Sequence, residues 1–233
     1  EYGGKADSLA PVLIDQFMYK QKGTFWSTPQ DVDNSSTYIY WQQAHAMDVL
    51  VYAYERHAGD SVYTLASRYK NYMRLWYNNR ANNYSSGTTG FENPFTDDMC
   101  WICLTLLHMT EATKLEMYAT TARRLFDNTI MKRAVEDETG LWLPWNTDLG
   151  SRANACTISP ACLIAAKLYE KYGVEKYLEY ATKFYDYMQK NIVKSDGRVE
   201  EPPLTYTQGT FGEACRKLYH LTGQAAYRVK AQQ

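Results

Sequence analysis

The chain has 233 residues, 45% hydrophobic and 22% charged, with a formal net charge of −1. These values exclude a disordered or fibrous chain, and no dense Lys/Arg run supplies the electrostatic footprint of a nucleic-acid binder. The unusual figure is 15% aromatic residues, with 21 Tyr and 6 Trp; rings with an apolar face and a polar tip suit wet apolar surfaces, those that meet sugars included.

In chain order, the apolar residues recur with helical period almost throughout. Ala44, Met47, Val51 and Tyr54 predict a helix over 40–57. Val62, Leu65, Ala66, Tyr69, Met73 and Trp76 predict a second amphipathic helix. Met99 to Leu107 is apolar nearly all round, as in a helix enclosed by others. Gly140 to Trp145 and Asp196 to Glu200 are candidates for short extended segments or hairpins, and Tyr177, Ala181, Phe184 and Met188 predict a further amphipathic helix. No apolar run approaches the roughly 18 residues needed to cross a bilayer. The five cysteines (Cys100, Cys103, Cys156, Cys162, Cys215) lie in mainly apolar segments and read as buried free thiols. Neither their spacing nor that of the four histidines matches a metal-site pattern, so no metal or other cofactor is expected.

Four segments, 54–63, 107–118, 169–178 and 219–228, each end one helix and begin another, their starts separated by 53, 62 and 50 residues. In three of them Gly59, Gly173 or Gly223 stands where a helix end needs a left-handed residue. The unit between corners is a helical hairpin, and repeated hairpins stack as a solenoid or close into a toroid. The opposite connections (19–37, 81–96, 134–153 and 193–207) are long and rich in Trp, Tyr, Asn, Asp and Gly, the kind of loop on which a rigid scaffold carries its site.

One such connection ends in Asn93-Pro-Phe-Thr-Asp-Asp-Met-Cys-Trp101. One aspartate at a helix start is explained by capping. A second, adjacent one adds repulsion beside an apolar segment unless something uses it. Glycoside hydrolysis uses two neighbouring carboxyls without a metal: one protonates the departing oxygen while the other attacks the anomeric carbon or activates water, with a separation of roughly 5–5.5 Å in retaining enzymes. Proximity also splits the pair's titration, leaving one group ionised and one protonated.

The segment 93–101, with YWQQAHAMD (40–48) upstream and NACTISPACLIAAKLYEKYG (154–173) and TYTQGTFGEACRKLY (205–219) downstream, resembles glycoside hydrolase family 76, in particular bacterial endo-α-1,6-mannanases. The resemblance runs from about residue 35 to the end and implies an all-α fold, an (α/α)6 toroid. It implies retaining hydrolysis of α-1,6-mannan, with Asp97 as nucleophile and Asp98 as acid/base. Trp41, Asn154, Tyr206 and Gln208 lie in the matching segments and are candidates for holding a mannose ring; core packing is the competing reading for the two aromatics, helix capping for the two amides. Trp101 is assigned to the core beneath the site. Trp142 and Trp145 are read either as walls of a sugar subsite or as hairpin packing, and His45 with Asp48 as a structural pair.

Residues 1–233 are expected to form one catalytic domain whose ring is incomplete on its C-terminal side, since a six-hairpin toroid takes about twelve helices and the last corner is followed only by YRVKAQQ. The expected protein is an extracytoplasmic monomer, its signal peptide removed, that meets α-mannan and neither nucleic acid nor a membrane interior. Two other readings stay open: a transglycosylase acting on a mannose-containing glycan or anchor, and a non-catalytic helical-repeat glycan-binding protein.

Overall fold

The computed structural model describes residues 2–29, 40–60, 64–81, 89–148, 150–200 and 203–233. Val62 and much of the connections predicted over 19–37 and 81–96 lie outside the described residues. Among those described, the order is α1 (Tyr2–Phe17), the hairpin β1 (Met18–Tyr19) and β2 (Thr24–Phe25), α2 (Tyr40–His57), α3 (Thr64–Ala81), α4 (Thr96–Thr113) and α5 (Glu116–Leu125). A π-helical turn (Phe126–Ile130) and a 3-10 turn (Met131–Arg133) follow. The chain continues with the hairpin β3 (Val135–Asp137) and β4 (Gly140–Trp142), then α6 (Ala155–Tyr172), α7 (Glu175–Asn191), α8 (Thr205–Thr222) and α9 (Ala225–Gln232). They divide into two compact units: residues 1–92 with 101–125, and residues 93–100 with 126–233.

In the first unit the predicted stripes form much of the core, and Leu50 of α2 joins them. Met47, Leu50 and Val51 of α2, Tyr69, Met73 and Trp76 of α3, and Ile102 and Leu106 of α4 are at most 2% exposed. Burying each such side chain contributes about 1.5–3 kcal/mol. Leu65, counted on the apolar face of α3, is instead exposed. The β1–β2 hairpin, unmarked in the sequence, closes through Gly23 at φ 68°, where a Cβ would fall 2.7 Å from the Trp76 backbone nitrogen, so only glycine lets this turn lie on α3. The corner after α2 departs from expectation: Gly59 has no positive φ, and the turn is held by the Asp60 N–H bonding the His57 carbonyl at 3.1 Å and by the His57–Asp60 side-chain pair at 2.7 Å. At the glycine-free corner between α4 and α5, Lys114 takes the left-handed position itself, at φ 63°.

In the second unit α6 packs against α7 and α8, and α8 against α9. Residues 155–166 of α6 are buried without interruption. Gly173 and Gly223 end α6 and α8 in the left-handed conformation, as predicted. The extended segment predicted at Gly140 is β4, paired with β3, and that predicted at 196–200 supplies an isolated bridge between Val193 and Val199. Asp127, carried by the π-helical turn, accepts from the Tyr177 hydroxyl (2.7 Å) and Lys176 Nζ (3.0 Å), anchoring that turn to the start of α7.

The hairpins repeat in detail. Cys103, the eighth residue of α4, directs its thiol to the Ala122 carbonyl of α5 (3.5 Å); Cys162, the eighth of α6, does the same to Ala181 of α7 (3.3 Å), over the same sequence separation of 19. All five cysteines are buried and free.

Candidate active site

Asp97 and Asp98 occupy the first turn of α4, within the second unit, and four neighbours fix that turn. Asn93 folds the approach by accepting the Phe95 N–H on its side-chain oxygen at 2.8 Å. Trp145 and Asn146 pair with it: the Thr96 N–H donates to the Trp145 carbonyl at 2.7 Å, and Phe95 forms a β-bridge with Asn146. Arg133, delivered by the 3-10 turn, donates to the carbonyls of Pro94 (2.8 Å) and Asn93 (2.7 Å) and to Thr96 Oγ1 (3.1 Å). A planar guanidinium with several fixed donors is suited to lock such a turn.

The two carboxyls stand in unequal surroundings. Burial raises the pKa of Asp97, and that rise is opposed by bonds from the Trp145 indole, the Asp98 backbone N–H (3.0 Å to Oδ1) and the Cys156 thiol. Asp98 is pushed up to about 7, first by burial and then by the negative charge of Asp97. Between their two transitions the first is a hydrogen-bonded carboxylate and the second a carboxylic acid.

Asn154 caps α6, its Oδ1 accepting the Thr157 N–H at 3.0 Å, and lies 3.0 Å from the Cys156 sulfur. Burial and the nearby Asp97 charge drive the Cys156 pKa up to about 12, so the group stays a thiol and a donor. The Tyr206 hydroxyl bonds the same sulfur, and burial with the Cys156 and Asp97 charges raises its own pKa to about 12. Asp97, Cys156 and Tyr206 thus form a hydrogen-bonded file. Beside it, Phe95 and Trp145 hold their rings 5.1 Å apart and remain 38% and 41% exposed, which leaves aromatic surface next to the acidic pair.

The structure therefore gathers Asp97, Asp98, Asn154 and Tyr206. Gln208 is used differently: its amide clips the backbone of Val199, accepting its N–H at 2.9 Å and donating to its carbonyl at 2.6 Å. Gln43 of α2 makes the same double bond to Phe25, at 2.9 and 2.6 Å. Trp41, exposed on the first turn of α2, belongs to the first unit, where its ring lies 6.2 Å from that of His45. Trp101 is buried, as assigned, and packs on His45 at 5.1 Å. Of the expected structural pair, Asp48 acts on His45 through its charge, while its carboxylate takes hydrogen bonds from His108 Nδ1 (3.0 Å) and the Thr105 hydroxyl (3.1 Å). Sequence reasoning missed the roles of Arg133, Cys156 and His108, because the contacts that define them, to Asn93, Asp97 and Asp48, span 40, 59 and 60 residues, beyond any local motif. One signal was available: Trp41, Asp97, Cys156 and Tyr206 are each the second residue of α2, α4, α6 and α8.

Known proteins agree with this architecture. The chain is similar in structure to the α-1,6-mannanase of Salegentibacter sp. HEL1_6, with a TM-score of 0.81 and 25% identity over 99% of this chain and 68% of that one. It is similar as well to an inactive variant of that enzyme, with two consecutive aspartates replaced by asparagine, in complex with α-1,6-mannotriose (TM-score 0.80, 24% identity, 99% and 68% covered). A family 76 mannosidase of Bacteroides thetaiotaomicron VPI-5482 gives a TM-score of 0.81 at 20% identity, with 99% and 69% covered. These likenesses show the fold, the helical-hairpin toroid class expected from the sequence. No curated protein matches the sequence. The model of Glycosyl hydrolase family 76 matches residues 5–233, through both units, and the chain belongs to that family.

Proposed function

We propose that this glycoside hydrolase is a retaining, endo-acting α-1,6-mannanase, with Asp97 as nucleophile and Asp98 as acid/base. The observation that carries the reading is the unequal environment of two adjacent carboxyls: donors surround Asp97, while burial and the Asp97 charge keep Asp98 protonated up to about pH 7. In the first step Asp97 attacks the anomeric carbon as Asp98 gives its proton to the departing glycosidic oxygen, leaving a glycosyl ester on Asp97. In the second, ionised Asp98 takes a proton from water, whose oxygen displaces Asp97 from the sugar, and both carboxyls return to their starting states. The inactive α-1,6-mannanase variant, with consecutive aspartates replaced and mannotriose bound, supports both the pair and the substrate.

Tyr206 and the Phe95–Trp145 rings offer aromatic faces beside the pair, and Trp41 is the corresponding candidate in the first unit. Asn154 and Gln208, whose side-chain oxygens serve a helix cap and a backbone clip, act in this reading by holding the loops that carry the site. The unbroken family match supports treating both units as parts of one catalytic domain. On this reading the enzyme acts as a monomer outside the cytoplasm, where a polymeric substrate is met; no described helix is long and apolar enough to cross a membrane.

The test is incubation with unbranched α-1,6-mannan and sizing of the products. Oligosaccharides are expected from the native protein and none from Asp97→Asn or Asp98→Asn proteins of unchanged circular dichroism. An intact polymer after incubation with folded native protein overturns the proposal.

A further inference from the structure

A cleft of about 510 Å³ lies in the second unit between the β3–β4 hairpin, the end of α7 and the loops 150–153 and 194–200. Its volume falls in the range of small-molecule sites, roughly 300–1,000 Å³. The walls are fixed. Trp142 donates its indole N–H to Asp137 Oδ2 at 3.0 Å, and the same carboxylate holds the hairpin turn through the Thr139 N–H at 2.8 Å. Asn191 at the end of α7 donates to the Thr139 carbonyl at 3.1 Å. Gly140, at φ 123°, lays the hairpin on Tyr187, where a Cβ would stand 3.5 Å from the ring. Two aromatic rings, Trp142 and Tyr187, therefore line a cleft whose shape is set before anything binds.

The charges around it balance, with Arg152 and Lys194 against Asp137 and Glu200, so the lining favours a neutral polyol with many hydroxyls over an anion or a cation. The cleft is also tied to the acidic pair by the chain itself. Trp142 stands three residues before Trp145, and Ala153, on the other wall, three residues before Cys156; Trp145 and Cys156 both bond Asp97. Three residues of extended backbone reach about 11 Å at most. Both walls therefore begin within a few sugar rings of the groups that hold the nucleophile.

We propose that this cleft binds sugar units of the substrate remote from the scissile bond, so that the enzyme grips a longer stretch of neutral glycan than the acidic pair alone would hold. The inference rests on the mannan-cleaving reading and adds a distinct prediction about chain length. The experiment is calorimetric titration of the Asp97→Asn protein with α-1,6-linked mannotriose and mannohexaose, repeated with Trp142→Ala and with Arg152→Ala added; Arg152 is exposed, so that variant reports even if loss of Trp142 disturbs the hairpin. Mannohexaose is expected to bind about tenfold tighter than mannotriose, and either added substitution should cut this gain below about threefold while leaving mannotriose affinity within about twofold. A gain that survives both substitutions overturns the cleft and leaves the enzymatic reading intact. Absence of binding at either length counts against the mannan-cleaving reading and removes the cleft's role with it.

Discussion

The first turns of α4 and α8 occupy the same place in two copies of one hairpin design, yet they are built to opposite ends. In α8 the fourth residue, Gln208, gives both halves of its amide to Val199, and in α2 the fourth residue, Gln43, does the same to Phe25. Every polar group in those clips has a partner, which is what a scaffold needs. In α4 two like charges stand together at the mouth of a buried helix, and burial opposes the ionisation of both. The chain keeps the α4 turn in place from outside it, with Arg133, Trp145 and Cys156. The neutral clips thus satisfy their polar groups, and the proposed site sits where a local rule is broken.

The largest effect should come from the pair itself. Asp98→Asn removes the proposed proton donor and is expected to lower kcat roughly 10²–10⁴-fold on α-1,6-mannan, whereas Gln208→Ala should lower kcat less than about tenfold, because it acts on a clip away from the proposed reacting pair. Comparable losses in the two variants would erase the contrast drawn between the turns.

Arg133→Ala comes next. It removes three hydrogen bonds to the approach to α4, and leaving the Asn93 and Pro94 carbonyls without that partner should cost about 1–3 kcal/mol in urea unfolding. Because misplacement of the proposed nucleophile, Asp97, would be expensive, kcat should fall by about 10²-fold as well. Arg133→Lys should recover the stability more than the activity, since an ammonium reproduces the charge without the planar fork.

The clips can be ranked between themselves. Gln43 is 1% exposed, whereas Gln208 is half-buried. Gln43→Ala should therefore destabilise by about 2 kcal/mol and Gln208→Ala by about 1 kcal/mol, read from the shift in denaturant midpoint. The reverse order would mean that burial does not set the worth of these bonds.

A comparable effect, confined to one side of the pH range, concerns stability and pH. The folded pKa of Asp98 lies above its unfolded value, so the folded state binds the extra proton and stability falls as pH rises from about 4 through 7. Asp98→Asn removes that loss. Its thermal midpoint should exceed the native one at pH 8 by a few degrees, on the order of 1–2 kcal/mol after solvent screening, and match it near pH 4. An equal gain at both pH values would show that charge burial is not the cause.

Much of this was legible beforehand because it is written in short-range patterns. The stripe Tyr177, Ala181, Phe184 and Met188 follows from helical period alone, and Gly173 and Gly223 mark their corners because a left-handed residue is needed there. Asp97 and Asp98 were conspicuous because adjacent like charges before an apolar run break a pattern. What stayed hidden depends on partners far along the chain. Gln208 reads as a capping or sugar-binding amide until Val199 is placed opposite it, and Asp48 pairs in sequence with His45 but in space with His108. Lys114 shows the limit of residue preference: it takes a conformation that favours glycine because the corner geometry requires one.

The account turns on Asp97 acting ionised while Asp98 acts protonated, and the pH dependence of kcat/KM on α-1,6-linked mannooligosaccharides tests this most directly. The prediction is a bell whose alkaline limb has its midpoint near pH 7, set by Asp98, and whose acid limb reports protonation of Asp97. Activity that stays level from pH 6 to pH 9 in the native protein would contradict it.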